Sequence, residues 1–354
     1  MNQDVRAPAG ASQEAVAPRS ESDHIIAVDR LTKHYGDLLA VDGISFSVRR
    51  GEVFGILGPN GAGKTTTLEM IEGLRQPDGG SVTVDGLAVW PNPKQVKGRI
   101  GVQLQATALF DYQKLWEILR VFGSCYGMRR SREQILRLLD RVGLADKADS
   151  YANELSGGQA QRLSIALALV NDPVVTFLDE PTTGLDPRAR RALWDVIRDI
   201  NASGTTVVLT THYMEEAERL CDRVAVMDHG RVMALDTPRT LVDGLGAEAR
   251  VTFMLSEPLP VDELCALDGV TTCDAEEDGH YVLQAANAQH AVVSLLATAA
   301  ERGLRIANLD VQGANLEDVF LAMTGHKLVE DDQQEGPAAS AGGKRRSIFA
   351  GRER

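Results

Sequence analysis

Gly58-Pro59-Asn60-Gly61-Ala62-Gly63-Lys64-Thr65-Thr66 reads G-x-x-x-x-G-K-T with one further threonine. Its neighbours decide what it is. Gly51 to Leu57 (G-E-V-F-G-I-L) is a short apolar run suited to a buried strand, and Thr66 to Gly73 has helical spacing that stops at a glycine. A strand, a glycine-rich turn and a helix in that order make a phosphate-binding loop. The glycines let the backbone turn tightly and aim several N–H groups at one anion, and the start of the helix adds its positive dipole end. Lys64 brings a point charge to the β- and γ-phosphates. Thr65 brings a hydroxyl to Mg²⁺, an ion that keeps several waters and takes few protein ligands.

Further out, the chain falls into segments of different character. Ile25 to Val28 has the pattern of a first strand, with Leu31 to Gly36 after it as a turn that carries Tyr35, an aromatic ring able to stack on a purine or simply to pack. Val41 to Val48 alternates apolar and polar residues, as in a half-buried antiparallel strand, and Ser81 to Val84 follows the turn Pro77-Asp78-Gly79-Gly80 as another short strand. Arg99 to Gln105 reads as a strand ending in glutamine. From Gln113 to about Gly143 the spacing becomes helical, and Leu155-Ser156-Gly157-Gly158-Gln159 then opens the apolar helix Ala160 to Val170. Ser156 with Gln159 is a capping box. Two consecutive glycines there weaken a helix and expose backbone N–H groups, which suits an anion.

Pro173 to Leu178 (P-V-V-T-F-L) has the profile of a parallel strand buried on both faces, and it stops at Asp179-Glu180. Thr205 to Thr210 is a second such strand and delivers Thr211-His212. Carboxylates and a histidine at the C-terminal edge of buried parallel strands stand where open α/β sheets bind ligands. After Gly230 the pattern resets: strands at Ala249 to Leu255, Tyr281 to Gln284 and Arg305 to Leu309, a helix over Ala288 to Glu301, and a last helix capped by Asn315 with Leu316, Val319, Phe320 and Met323 on one face.

Composition narrows the functional classes. The chain has 354 residues, is 44% hydrophobic and carries a formal net charge of −13, so it can bury a sizeable core, and the charge argues against broad nucleic-acid binding, which needs a basic surface. Cys125, Cys221, Cys265 and Cys273 contain no C-x-x-C pair, which suggests neither a zinc site nor a disulfide framework and fits a reducing compartment. No run approaches the roughly 18 apolar residues of a membrane span.

Taken together, Tyr35, the loop at 58–66, Gln105, L-S-G-G-Q at Leu155, Asp179-Glu180, Gly184-Leu185-Asp186 and His212 resemble, in type and order, the ATP-binding cassette (ABC) ATPases over about Ile25 to Leu241. Thr211-His212-Tyr213-Met214-Glu215-Glu216-Ala217 and Leu316-Glu317-Asp318-Val319-Phe320-Leu321 resemble the drug-resistance-type exporters served by ABC-2 membrane subunits. The resemblance implies an α/β fold: a P-loop NTPase core with an antiparallel β subdomain and a helical insert at about 106–171, together spanning 24–241. A small C-terminal α/β domain at 246–326 is expected after it, with a disordered leader at 1–23 and a disordered tail at 327–354 carrying Lys344-Arg345-Arg346.

It also implies roles. Tyr35 stacks on adenine, and Lys64 and the loop amides hold the phosphates. Thr65, Gln105 and, through water, Asp179 surround Mg²⁺. Glu180 is the general base, and His212 meets the γ-phosphate. Ser156, Gly157, Gly158 and Gln159 cap the γ-phosphate held by a second copy, and Asp186 belongs to the same dimer contact. The segment Asp111 to Leu119 faces a membrane-spanning permease. Leu104 and Ala160 depart from the family pattern, and Gln103 is a second candidate for the loop glutamine. The expected function is ATP hydrolysis at the cytoplasmic face of the membrane that drives export of a drug, lipid or other small hydrophobic compound. An importer ATPase subunit or a soluble non-transport ABC ATPase stays open as the alternative at this point.

Overall fold

The computed structural model describes residues 23–103, 112–246, 248–275 and 279–326. The chain opens with strands β1 (His24–Tyr35) and β2 (Leu38–Arg49), then β3 (Val53–Leu57), α1 (Lys64–Ile71), β4 (Gly79–Val84), β5 (Leu87–Ala88), α2 (Lys94–Lys97) and β6 (Ile100–Val102). Helices α3 (Leu115–Cys125), α4 (Arg132–Arg141) and α5 (Gly157–Ala168) separate β6 from β7 (Val175–Asp179). There follow α6 (Pro187–Ala202), β8 (Thr206–Thr211), α7 (Met214–Leu220), β9 (Arg223–Asp228), β10 (Arg231–Asp236) and α8 (Pro238–Asp243). The last part runs β11 (Ala249–Leu255), α9 (Val261–Cys265), β12 (Val270–Ala275), β13 (His280–Ala285), α10 (Ala288–Arg302), β14 (Ile306–Gln312) and α11 (Leu316–Thr324).

Among the described residues these strands form three sheets. The first has the order β2-β1-β4-β5 and is antiparallel, and the second, β10-β9-β3-β8-β7-β6, is parallel except for its β9–β10 hairpin. Every residue of β3 is buried, and its side chains divide between two cores. Val53 and Leu57 pack with the helices α3 to α6, while Phe54 and Ile56 pack with the first sheet and with Leu68, Met70 and Ile71 of α1. That two-sided burial explains why the strand reads as a continuous apolar run. Gly55 lies between them because a Cβ there would come within 2.6 Å of Cys221 Sγ. Register then aligns the strand ends: Leu57 pairs with Thr211, and Asp179 with Thr210. Three adjacent parallel strands therefore deliver the phosphate loop, His212 and Asp179-Glu180 to one edge.

Two sequence expectations change. The stretch Leu31 to Gly36, read as a turn, continues β1 as far as Tyr35. The strand passes an irregularity at Arg30 (φ 45°), after which Leu31 is fully buried opposite Ile44. A bulge of this kind breaks the alternation that a strand reading depends on. The final helix α11, expected in the C-terminal α/β domain, instead buries Leu316, Val319 and Phe320 in the core of the larger unit, beside α7 and α8. The Leu316 N–H also donates to Glu218 at 2.8 Å. The third sheet, β12-β13-β11-β14, has its own core of Val251, Phe253, Leu264, Leu283 and Leu295, with α9 and α10 contributing. The apolar stripe of α11 is therefore buried on the larger unit. The expectations for the leader (but for Asp23), the tail, Gln105 and Asp111 lie outside the described residues.

Candidate nucleotide site

Loop 58–63 holds its shape through close backbone approaches. A Cβ at Gly58 would come within 2.1 Å of the Met227 carbonyl, and one at Gly63 (φ 98°) within 2.4 Å of the Ala40 carbonyl. Neither position has room for a side chain, and Gly63 also needs the left-handed region. Lys64 is buried, at 4% exposure, and its Nζ donates to the carbonyls of Gly58 (2.9 Å) and Pro59 (3.1 Å). The same ammonium stands 3.2 Å from Glu180 Oε1. The loop and Tyr35, Leu38, Ala40 and Glu180 border a cleft of about 270 Å³. Tyr35 is 40% exposed and forms one wall of it.

The Asp179-Glu180 pair is built with care for orientation. Thr65 Oγ1 donates to Asp179 Oδ1 at 3.2 Å, and the Thr210 hydroxyl donates to the same oxygen. Thr210 Oγ1 in turn accepts the Glu180 N–H at 2.9 Å. Glu180 itself has φ 46°, a conformation that costs a non-glycine residue about 1–3 kcal/mol and persists only where its surroundings impose it. His212 Nδ1 lies 3.5 Å from Glu180 Oε2, with the Tyr213 ring beside it, centroids 4.1 Å apart and planes tilted by 40°. Contact with His212, followed by the Lys64 charge, holds the Glu180 carboxyl down at about 2, against the burial that would raise it.

That shift has a consequence for stability. A carboxyl whose folded value lies below its ordinary 4.5 stabilises the fold above that pH and loses its contribution as pH falls from about 4.5 to about 2. Between pH 6 and pH 3 the advantage of wild type over Glu180→Gln is expected to fall by about 2 kcal/mol. Denaturant unfolding of both proteins at pH 6 and pH 3 measures it. An unchanged difference would contradict the assignment.

Ser156 caps α5, its hydroxyl accepting from the Gln159 N–H at 3.4 Å while Gln159 Oε1 accepts the Ser156 N–H at 2.9 Å. A Cβ at Gly158 would lie 3.2 Å from Ala189 Cβ on α6, so close helix packing accounts for part of that glycine. Gly157 is different: it is exposed and has open space where a side chain would go. Asp186 caps α6 by accepting from Arg188 and Ala189, each at 2.9 Å. Gln103 is buried with Oε1 unpartnered, on a cleft of about 180 Å³ that it shares with Thr65, Glu72 and Asp179. Burial, and then the charge of Asp179, pushes the Glu72 carboxyl up to about 8.

Sequence reasoning missed two supports. One is Thr210, whose only sequence signal is a polar residue at the end of an apolar run. The other is Glu216, fully buried, accepting from Trp194 Nε1 at 3.0 Å and so tying α7, just after His212, to α6, just after Asp186. As for a metal, Thr65 and Asp179 offer hard oxygen donors 3.2 Å apart beside the phosphate loop, a donor set that suits Mg²⁺.

The chain is similar to known proteins over most of its length. The ABC transporter family profile matches residues 41–183. The Nod factor export ATP-binding protein I of Ralstonia nicotianae is 40% identical, over 89% of this chain and 98% of that protein. The daunorubicin resistance ATP-binding protein DrrA2 of Streptomyces coeruleorubidus is 36% identical, over 88% and 98%. Among solved structures, the dimeric post-hydrolysis state of the ATP-binding cassette MJ0796 bound to ADP and Pi is similar at 27% identity and a TM-score of 0.54, covering 60% of this chain and 98% of that one. With a relative this similar over nearly its whole length, and the loop, the acidic pair and the histidine on one sheet edge, the chain belongs to the ABC transporter family as one of its ATPase subunits.

Proposed function

We propose that the chain is the ATP-hydrolysing subunit of an ABC-2-type exporter and that two copies close over ATP. The convergence of Lys64, Thr65, Asp179, Glu180 and His212 at the C-terminal ends of three adjacent strands carries the hydrolytic part. In the resting chain Lys64 is neutralised by Glu180. When the β- and γ-phosphates enter the cleft they take over Lys64 together with the loop amides. Glu180 then loses one of its two stabilising partners, its affinity for a proton rises, and it accepts the proton of the attacking water. His212 stays beside Glu180 and orients the γ-phosphate end of the site. Mg²⁺, when bound, neutralises charge on the phosphate oxygens; Thr65 and Asp179 would hold it, with Gln105. Tyr35 takes the adenine on its ring face.

Gly157 supports the shared site. Its exposed N–H end of α5 has no packing reason inside the chain to lack a side chain, and such a helix start suits a phosphate presented by a second copy. A mixture of Lys64→Ala and Gly157→Asp subunits tests this. Each variant alone is expected to be inactive. In a head-to-tail pair both defects fall in one site and leave the other intact, so the mixture is expected to recover ATPase activity, or at least ATP-dependent heterodimers on ultracentrifugation. Neither activity nor heterodimers, where wild type dimerises, would rule the shared site out.

Export rests on the relatives, which are named for export of Nod factor and for daunorubicin resistance. Among the described residues no helix is long and apolar enough to cross a membrane. By the relatives' export role, the cargo path belongs to a separate permease and this subunit works at the cytoplasmic face. A drug, lipid or other small hydrophobic compound is the cargo class. A neighbouring reading frame for a six-span hydrophobic protein is expected; a periplasmic-type binding protein in its place would contradict export.

A further inference from the structure

Arg75 stands just beyond α1, forty positions from Tyr35 in sequence, yet its guanidinium lies over the Tyr35 ring, 5.2 Å from the centroid. It is held there from two sides. Its Nε donates to Glu69 Oε2, and its own N–H and that of Leu74 both donate to the Glu69 carbonyl, at 3.0 and 2.9 Å. Lys33 Nζ also approaches the ring, at 6.0 Å, but its hydrogen bonds go to Gln76 O (2.8 Å) and Asp78 Oδ1 (2.9 Å). Tyr35 lines the nucleotide cleft, whereas Arg75 is not among the cleft's walls. The cation thus contacts the ring without bordering the cleft that the ring lines.

We infer that Arg75, held by Glu69, is a positioning residue for base recognition, fixing the Tyr35 ring as the platform on which the purine stacks; this rests on the reading of Tyr35 given above. Two effects act together. A ring already held in place loses less freedom when the base arrives. A cation on one face also draws electron density from the ring, so the opposite face stacks better on an electron-rich purine. The Glu69–Arg75 pair further ties that platform to the helix whose first residues, Lys64 and Thr65, reach the phosphates, so base and phosphate ends are set by one rigid element.

Calorimetry on the full chain with MgADP and with magnesium pyrophosphate, which lacks the nucleoside, separates the possibilities. Arg75→Ala is expected to weaken ADP about two- to fivefold, the range of a partly exposed cation–π contact, and to leave pyrophosphate unchanged. Arg75→Lys is expected to restore part of the loss. In a Tyr35→Ala background, Arg75→Ala is expected to have no further effect. Unchanged ADP affinity in Arg75→Ala, while Tyr35→Ala weakens it, would overturn the role of Arg75 alone. Equal weakening of ADP and pyrophosphate would also overturn it. If Tyr35→Ala itself binds ADP as wild type does, the stacking role of Tyr35 fails first.

Discussion

Glu180→Gln is expected to lower ATP turnover by about 10² to 10⁴ while leaving ATP bound. The substitution keeps the size of the side chain and its hydrogen-bonding reach toward Lys64 and His212, so the left-handed backbone at this position and the Thr210 contact to its N–H are not disturbed. What it removes is the only carboxylate within reach of both Lys64 and His212 among the described contacts. It also removes the charge that neutralises Lys64 at rest, so ATP no longer competes with an internal partner and its affinity is expected to hold or rise. Phosphate release and equilibrium ATP binding, measured on the same preparation, read the two effects separately. Near-normal turnover would sink the assignment of Glu180 as base.

The second large effect belongs to binding. Lys64→Ala is expected to weaken ATP by about 10- to 10³-fold, since charge-assisted contacts to phosphate are individually worth on the order of 1.5–3 kcal/mol and the lysine makes more than one. Lys64 is 4% exposed, and its Nζ sits between two loop carbonyls and Glu180. Truncation leaves those acceptors and the Glu180 charge without their cation, so some loss of stability accompanies the loss of affinity. Lys64→Arg does not rescue, because the guanidinium is too large for a buried point-charge position enclosed by the loop. Calorimetric titration with ATP at matched folding, verified by thermal unfolding, measures it, and unchanged affinity would be decisive against the role.

Particular residues show what the sequence could disclose. The phosphate loop was legible because its chemistry is local: Gly58, Gly63, Lys64 and Thr65 must stand at fixed spacing, and the approaches to Met227 and Ala40 now account for two of those glycines. Asp179-Glu180 and His212 were legible because each ends an apolar run, and apolar runs become central strands. Residues that meet only through the tertiary fold were not. Thr210 reads as one more strand residue until β7 and β8 pair, and Arg75 reads as a loop arginine until β1 brings Tyr35 beside it. Leu316, Val319 and Phe320 announced a helical face but not which core would receive it. The double glycine of the α5 start looked like one feature in the sequence; the fold divides it into Gly158, close to Ala189, and Gly157, open to solvent.

In the proposed cycle ATP joins two copies of this chain and its hydrolysis releases them. Sedimentation velocity of Glu180→Gln with MgATP, with MgADP and without nucleotide tests it most directly. The expected result is a dimer with MgATP and a monomer in the other two conditions, with Gly157→Asp added to the same chain returning the MgATP sample to monomer. A Glu180→Gln chain that binds MgATP and sediments identically in all three conditions would contradict it.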